Sequence, residues 1–285
     1  MNNYELITNI VLQKLKEGVI PWRSSFRGHR LPNTNWKSKK AYHGINALMT
    51  SLMGYHSPYW LTFNQIKEYD KAKLRKGSKG TPILFAKYIE YEDNDGDTQT
   101  KSIYKRSYVF NLQDIDGIDC PVMAKMDSLE LLDFSPMDVC EKFLEELKPN
   151  LCRIEYVDRT KASYSPMLDR IEIANPELFQ TEEDYYSTLF HEITHSTGHS
   201  SRCDRNLTGS KKSKVYAKEE LIAEIGASFM CAETGILNRT VDDNTAYIQY
   251  YLKTLRDDPT MVVRASSKAQ QAVDWLKEKQ LKEVA

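Results

Sequence analysis

Cysteine is scarce. Five cysteines (Cys120, Cys140, Cys152, Cys203 and Cys231) are spread over 285 residues with no C-x-x-C pair. An odd count without such pairs argues against a disulfide framework and against a cysteine zinc knuckle. It points to a reduced, cytoplasmic protein. Long apolar runs are missing too: none approaches the roughly 18–20 residues that a membrane span needs. Between Met1 and Gly18 there is an early Glu5 but neither a basic n-region nor a small-residue cleavage site, so no secretory signal is expected. No internal repeat marks a solenoid. The phosphate-binding spacing G-x-x-x-x-G-K-[ST] is also absent. The basic, glycine-containing segment Lys76-Gly77-Ser78-Lys79-Gly80 therefore gives nucleotide hydrolysis no support.

What is present is enough to fold. Apolar residues are 41% and charged residues 28% of the chain, a mix that at this length buries a real core. The formal net charge of −1 conceals an asymmetry. Residues 1–117 hold 18 Lys and Arg against 11 Asp and Glu, a net of +7, and the remainder holds 21 against 29, a net of −8. Between Pro21 and Lys87 there are 13 basic residues and only two acids, Glu68 and Asp70. Opposite charge in two halves implies two domains, one of which meets a polyanion.

Apolar spacing predicts a helix over 3–17, stopped by Gly18, and another from Ile45 to Met53. A third is expected after Thr62, a candidate N-cap, through Ile66 to about Lys71. Pro82–Tyr91 and Ser102–Leu112 read as two strands of a hairpin with a long polar tip. A connector from about Gly117 to Phe134 leads to a helix opened by Ser135-Pro136. Strands are expected at 152–157 and 170–174, and a helix from Thr181 through His195 with acids in its first turn. Three more helices are expected, at about Tyr216–Thr234, Asn244–Arg256 and Ser266–Lys279.

The sharpest feature is His191-Glu192-Ile193-Thr194-His195. In a helix the two histidines share a face and can reach one ion, and Glu192 can reach a water on that ion. This is the H-E-x-x-H arrangement of zinc peptidases. A third histidine six residues on is ruled out, because position 201 is Ser201. The downstream run Glu220-Leu221-Ile222-Ala223-Glu224 resembles the gluzincin pattern, which implies Glu220 as third ligand and Glu224 as support of a ligand histidine. The two acids share a face, so swapped roles stay open. Glu219 is expected to point elsewhere, into solvent. With two His and one Glu a fourth position is left for water, and Glu192 is the expected general base. His199, Arg202 and Tyr216 are candidates to stabilise an oxyanion.

The basic half is also aromatic. Trp22, Trp36, Trp60, Tyr42, Tyr55, Tyr59 and Tyr69 interleave with cations, which suits phosphates beside splayed bases. Its motifs are Pro21-Trp22, Pro32-x-Asn, Tyr42-His43-Gly44-Ile45-Asn46, Trp60-Leu61-Thr62-Phe63-Asn64-Gln65, Arg75-Lys76-Gly77-Ser78-Lys79-Gly80 and Val109-Phe110-Asn111-Leu112-Gln113. Together they resemble the N-terminal domain of ArdC-type antirestriction proteins, a single-stranded DNA-binding module also found on plasmid primases of the TraC type. The second half, His191–His195 followed by Ser196-Thr197-Gly198-His199, Arg202 and Glu220–Glu224, resembles that family's zincin-like metallopeptidase domain. Cys203 departs from the apolar residue expected there and leaves local packing open, not the ligands.

The resulting expectation is an α+β fold in two domains. Residues 1–120 are a basic single-stranded DNA-binding domain with a small sheet, 121–134 a linker, and 135–285 a mostly helical zincin-like domain. The resemblance implies an antirestriction protein of a mobile element, carrying one Zn2+ on His191, His195 and Glu220. Single-stranded DNA is its expected partner, with no membrane. Arg23, Arg27, Arg30, Trp36, Lys37, Lys39, Lys40, Tyr42, Lys76 and Lys79 are the expected DNA contacts, although Tyr42, Gly44 and Asn46 could equally hold a turn. Two rival readings remain: an active zinc endopeptidase acting on a host restriction or DNA-processing protein, and a metal that is only structural.

Overall fold

The computed structural model describes residues 1–22, 32–92, 98–119, 136–208, 213–236 and 245–278. The fold is α+β in two domains. The N-terminal half opens with α1 (Asn3–Lys16), whose N-cap Asn2 and Glu5 form a reciprocal capping box. Then follow β1 (Thr34–Asn35), α2 (Ile45–Leu52), β2 (Tyr59–Thr62), α3 (Phe63–Ile66), β3 (Lys73–Leu74), β4 (Thr81–Glu92), β5 (Thr98–Asn111) and β6 (Ile115–Asp116). A four-stranded sheet runs in the order β1-β2-β5-β4, and β3 pairs with β6. The hairpin of β4 and β5 is antiparallel, from Thr81↔Val109 to Glu92↔Thr98. The expected third helix is shorter than its apolar spacing predicts. Thr62 and Gln65 cap it reciprocally, and it closes at Ile66.

The C-terminal half comprises α4 (Pro136–Leu147), β7 (Arg153–Val157), β8 (Ala162–Ser165), β9 (Arg170–Ala174), α5 (Glu182–Ser196), α6 (Lys214–Thr234), α7 (Thr245–Asp257) and α8 (Met261–Glu278). Its sheet has the order β7-β9-β8, with β7 parallel and β8 antiparallel to β9. Strand β8 is absent from the sequence expectation, and α8 begins five residues earlier than expected. The Ser135 cap and most of the connector lie outside the described residues.

One apolar cluster crosses the two halves. Ile7, Val11 and Leu15 of α1, Trp22, and Leu48 and Met49 of α2 pack with Leu221 and Ile225 of α6, Leu255 of α7 and Val262 of α8. Trp22 Nε1 donates to the Tyr247 hydroxyl at 2.9 Å. The Tyr42–Asn46 motif belongs to the same junction. Gly44, at φ +54°, donates its amide to Gln270 Oε1 of α8 at 2.9 Å. Asn46 clips the Leu84 backbone from both sides, accepting from its amide at 2.7 Å and donating to its carbonyl at 2.8 Å. Among the described residues no helix is long and apolar enough to cross a membrane.

Candidate metal centre and nucleic-acid interface

Helix α5 carries both histidines. Thr181 caps it by accepting from the Asp184 amide, and Glu182, Glu183 and Asp184 sit where the helix dipole favours acids. Four residues later than His191, His195 lies on the same face, with the rings 4.7 Å apart between centroids. Helix α6 brings its acids against them, because Gly226 leaves no side chain where α6 packs on Thr194 of α5. A Cβ there would lie 2.5 Å from Thr194 Cγ2.

The two Nε2 atoms are 3.1 Å apart. A Glu220 carboxylate oxygen lies 3.6 Å from His191 Nε2 and the other 3.5 Å from His195 Nε2. One ligand atom from each of the three residues falls within 4.8 Å of the others. Two imidazole nitrogens facing each other beside a carboxylate need a cation or a shared proton between them. Tetrahedral zinc with bonds of about 2.0–2.1 Å would separate two nitrogens by about 3.3 Å. The donor set therefore fits a divalent ion.

Glu219 is not in solvent. It is buried at 7% exposure, and its Oε1 lies 3.2 Å from His195 Nδ1. Arg205 grips the same carboxylate, donating from Nη2 to Oε1 at 2.7 Å and from Nε to Oε2 at 3.0 Å. Its other donors hold the Thr194 carbonyl and the Thr197 hydroxyl at the end of α5. The expectation that Glu219 is solvated thus fails, because an arginine 14 residues upstream folds back to meet it. Glu219 holds a histidine in the manner expected of Glu224. Glu224 is also buried and acts on His191 through its charge, but His191 Nδ1 is buried without a hydrogen-bond partner.

These contacts set the charges. Burial opposes a proton on His195, yet the hydrogen bonds it donates to Glu219 and Glu220 outweigh it and lift its pKa to about 10. Burial alone would raise Glu220, but hydrogen bonds from both histidines hold its carboxyl far below the usual carboxylate range. The Tyr216 hydroxyl is held above its ordinary value by burial and by Glu220. Glu192, buried at 8% exposure, accepts from the Tyr164 amide of β8 at 2.7 Å. Arg202 is committed elsewhere: it pairs with Asp169, and its Nε donates to the Ser196 carbonyl at 2.7 Å. It staples the β8–β9 turn to the end of α5 and is not free for an oxyanion. Nδ1 of His199 is similarly engaged, with Ser201 Oγ at 2.8 Å. Cys203 is half-buried, and burial raises its thiol pKa.

Residues 1–111 match the N-terminal domain of the anti-restriction factor ArdC, and residues 140–268 match a zincin-like metallopeptidase. The metal-free crystal structure of the antirestriction ArdC protein from the R388 plasmid is 32% identical over 99% of both chains, with a TM-score of 0.78. The chain belongs to the ArdC antirestriction family. The Mn(II)-bound structure of the same ArdC protein is likewise 32% identical over 98% of both chains, with a TM-score of 0.76. A DNA primase TraC of Escherichia coli is 30% identical over 98% of this chain, but this ArdC-type chain spans only 28% of that primase.

The basic half divides the expected DNA contacts. Arg23, Arg27 and Arg30 lie outside the described residues. Lys40, Lys76 and Lys79 are exposed. Lys37 is exposed but paired with Glu68. Lys39 sits over the Trp36 ring, 3.1 Å from its centroid. Trp36 itself is half-buried, packed edge-on against Tyr59 at 4.8 Å. Tyr42 is half-buried against the cluster of Trp60, Ile83 and Val109. Sequence reasoning passed over exposed rings on and beside the sheet, among them Phe63 of α3, Phe85 and Tyr108. Only their failure to fit an alternating buried pattern could have signalled them.

Proposed function

We propose that this ArdC-family protein binds single-stranded DNA through its basic half and shields the incoming DNA of a mobile element from restriction. The observation that carries the reading is the cation-rich stretch of sequence between residues 21 and 87, in the half that matches the ArdC N-terminal domain. Thirteen cations against two acids suit a phosphate backbone. His191, His195 and Glu220 would hold one divalent ion, with zinc the choice that two imidazoles and a carboxylate favour.

The test is a salt titration of binding to a labelled single-stranded oligonucleotide, with metal content measured on the same preparation. Tight binding that weakens linearly in log salt, with about one metal per chain, is the expected result. Metal without DNA binding would overturn the reading.

A second reading, zinc endopeptidase activity on a host restriction or DNA-processing protein, draws its support from Glu192. When bound, the ion would supply Lewis acidity. The Tyr164 amide orients the Glu192 carboxylate as a proton acceptor on the helix of the two histidines. Tyr216 offers a protonated hydroxyl beside Glu220. Glu192→Gln keeps the size and removes the base. Protection from restriction that survives this change, with DNA and metal binding intact, would exclude proteolysis as the mechanism.

A further inference from the structure

Three residues far apart in sequence meet on one side of the N-terminal sheet: Phe63 and Gly80 both close on Phe110, whose half-buried ring packs on the cluster of Leu61 and Ile66. Arg106, Tyr108 and Phe110 alternate along β5 and share one side of it, spaced by roughly 7 Å per pair of residues. Phe63, the first residue of α3, reaches the Phe110 ring at 6.4 Å between centroids. Phe63 is 48% exposed and Tyr108 44% exposed. Neither degree of exposure is what a core aromatic shows.

Cations stand at both ends of the row. Lys67 Nζ lies 4.7 Å from the Phe63 ring centroid, and the Arg106 guanidinium 5.8 Å from that of Tyr108. Gly80, at the end of the basic loop, lets the middle of the row close up. A Cβ there would lie 3.0 Å from Tyr108 Cβ and 3.1 Å from Phe110 Cζ. The exposed Lys79 precedes it.

We infer that Phe63, Tyr108 and Phe110 form a stacking platform for the bases of single-stranded nucleic acid, with Lys67, Arg106 and Lys79 taking the phosphates. The inference rests on the DNA-binding reading above and locates the contact. Rings accept any base through its π-face, so the platform carries no sequence preference. The flanking cations neutralise a backbone that an apolar protein partner would not possess. Gly80 keeps the ring row continuous with the lysine loop.

The experiment is fluorescence anisotropy of labelled oligo(dT) at several salt concentrations, using the full chain. Phe63→Leu and Tyr108→Leu each remove a ring and should weaken binding about tenfold while leaving the salt slope unchanged. Lys67→Ala should lower the slope by about 0.7, the share of one phosphate on a single strand. Phe63→Trp should retain binding. A bromodeoxyuridine oligonucleotide irradiated on the wild-type protein should cross-link within 63–67 or 106–110, a readout that needs no variant to fold. If wild type binds no oligo(dT), the DNA-binding reading itself fails. If wild type binds, and the two leucine variants melt like wild type yet bind within twofold of it, the platform is overturned and the DNA-binding reading stands. Cross-links confined to other segments would overturn it equally.

Discussion

His195 Nδ1 and Glu219 Oε1 are 3.2 Å apart, and that contact fixes which nitrogen of His195 faces Glu220. With Nδ1 held by a carboxylate, Nε2 is the atom turned toward His191 and the cluster. Such supporting carboxylates orient a ligand and raise its basicity. Glu219→Gln is expected to lower metal affinity by about 10–100-fold. Competition with a chromophoric chelator would measure it. Affinity within twofold of wild type would show that Glu219 serves the Arg205 contact alone.

The protonation of the cluster predicts how the metal-free protein responds to pH. His195 has a folded pKa of about 10 against an ordinary value of 6.5, so it binds its proton more tightly when folded. Its contribution is therefore complete below about pH 6.5 and is lost as pH rises through about 10. Glu220 is shifted the other way: its contribution is present above its ordinary 4.5 and is lost as the solution becomes strongly acid. The metal-free melting temperature should accordingly fall between pH 6.5 and 10. A bound ion replaces the proton, so uptake of metal at pH 7 should release protons, visible as a buffer-dependent heat in calorimetry. A buffer-independent heat would mean that the histidines are already neutral.

Gly226 packs directly against Thr194 where α6 meets α5. An alanine at position 226 gains about 1 kcal/mol in helix propensity over glycine. It also places a methyl 2.5 Å from Thr194 Cγ2, and overpacking of this kind costs about 1–3 kcal/mol. Gly226→Ala should lower stability, and metal affinity with it, because the helices that carry His195 and Glu220 are forced apart. Adding Thr194→Ala removes the clashing atoms and should recover both. A double variant no better than the single one would place the strain elsewhere.

Much of this site was legible in sequence because its geometry is local. Two histidines four apart on a capped helix need no tertiary information to share a face, and the Glu220–Glu224 run lies on the next helix. Glu219 was misread for the opposite reason. Its neighbours along α6 say nothing about Arg205, which arrives from the loop after α5. Strand β8 was missed because Ala-Ser-Tyr-Ser is polar and half-buried throughout, without the alternation that marks a strand. The early start of α8 reflects tertiary burial: Met261, Val262 and Val263 have exposures of 2%, 0% and 1% in the cluster that both halves share. The exposed rings of β5 escaped notice because apolar residues in a strand read as core.

The junction of the halves carries the last prediction. Charge and family boundaries divide the chain in two, yet α1, Trp22 and α2 bury their apolar faces in the same cluster as α6, α7 and α8. Burial on that scale links the stability of each half to the other, since neither can unfold without exposing the partner's core. Leu255 is fully buried in this cluster, on α7. Leu255→Ala should destabilise by about 2–5 kcal/mol. The loss should register equally in β2, whose Trp60 and Leu61 belong to other clusters, and in α5. Native-state hydrogen exchange would read both elements in one experiment. Equal losses would mark one cooperative unit, so that metal bound at α5 and α6 stabilises the N-terminal half by mass action. A loss confined to α5, with β2 unchanged, would mean that the two halves unfold separately and that metal bound in one leaves the other's stability unchanged.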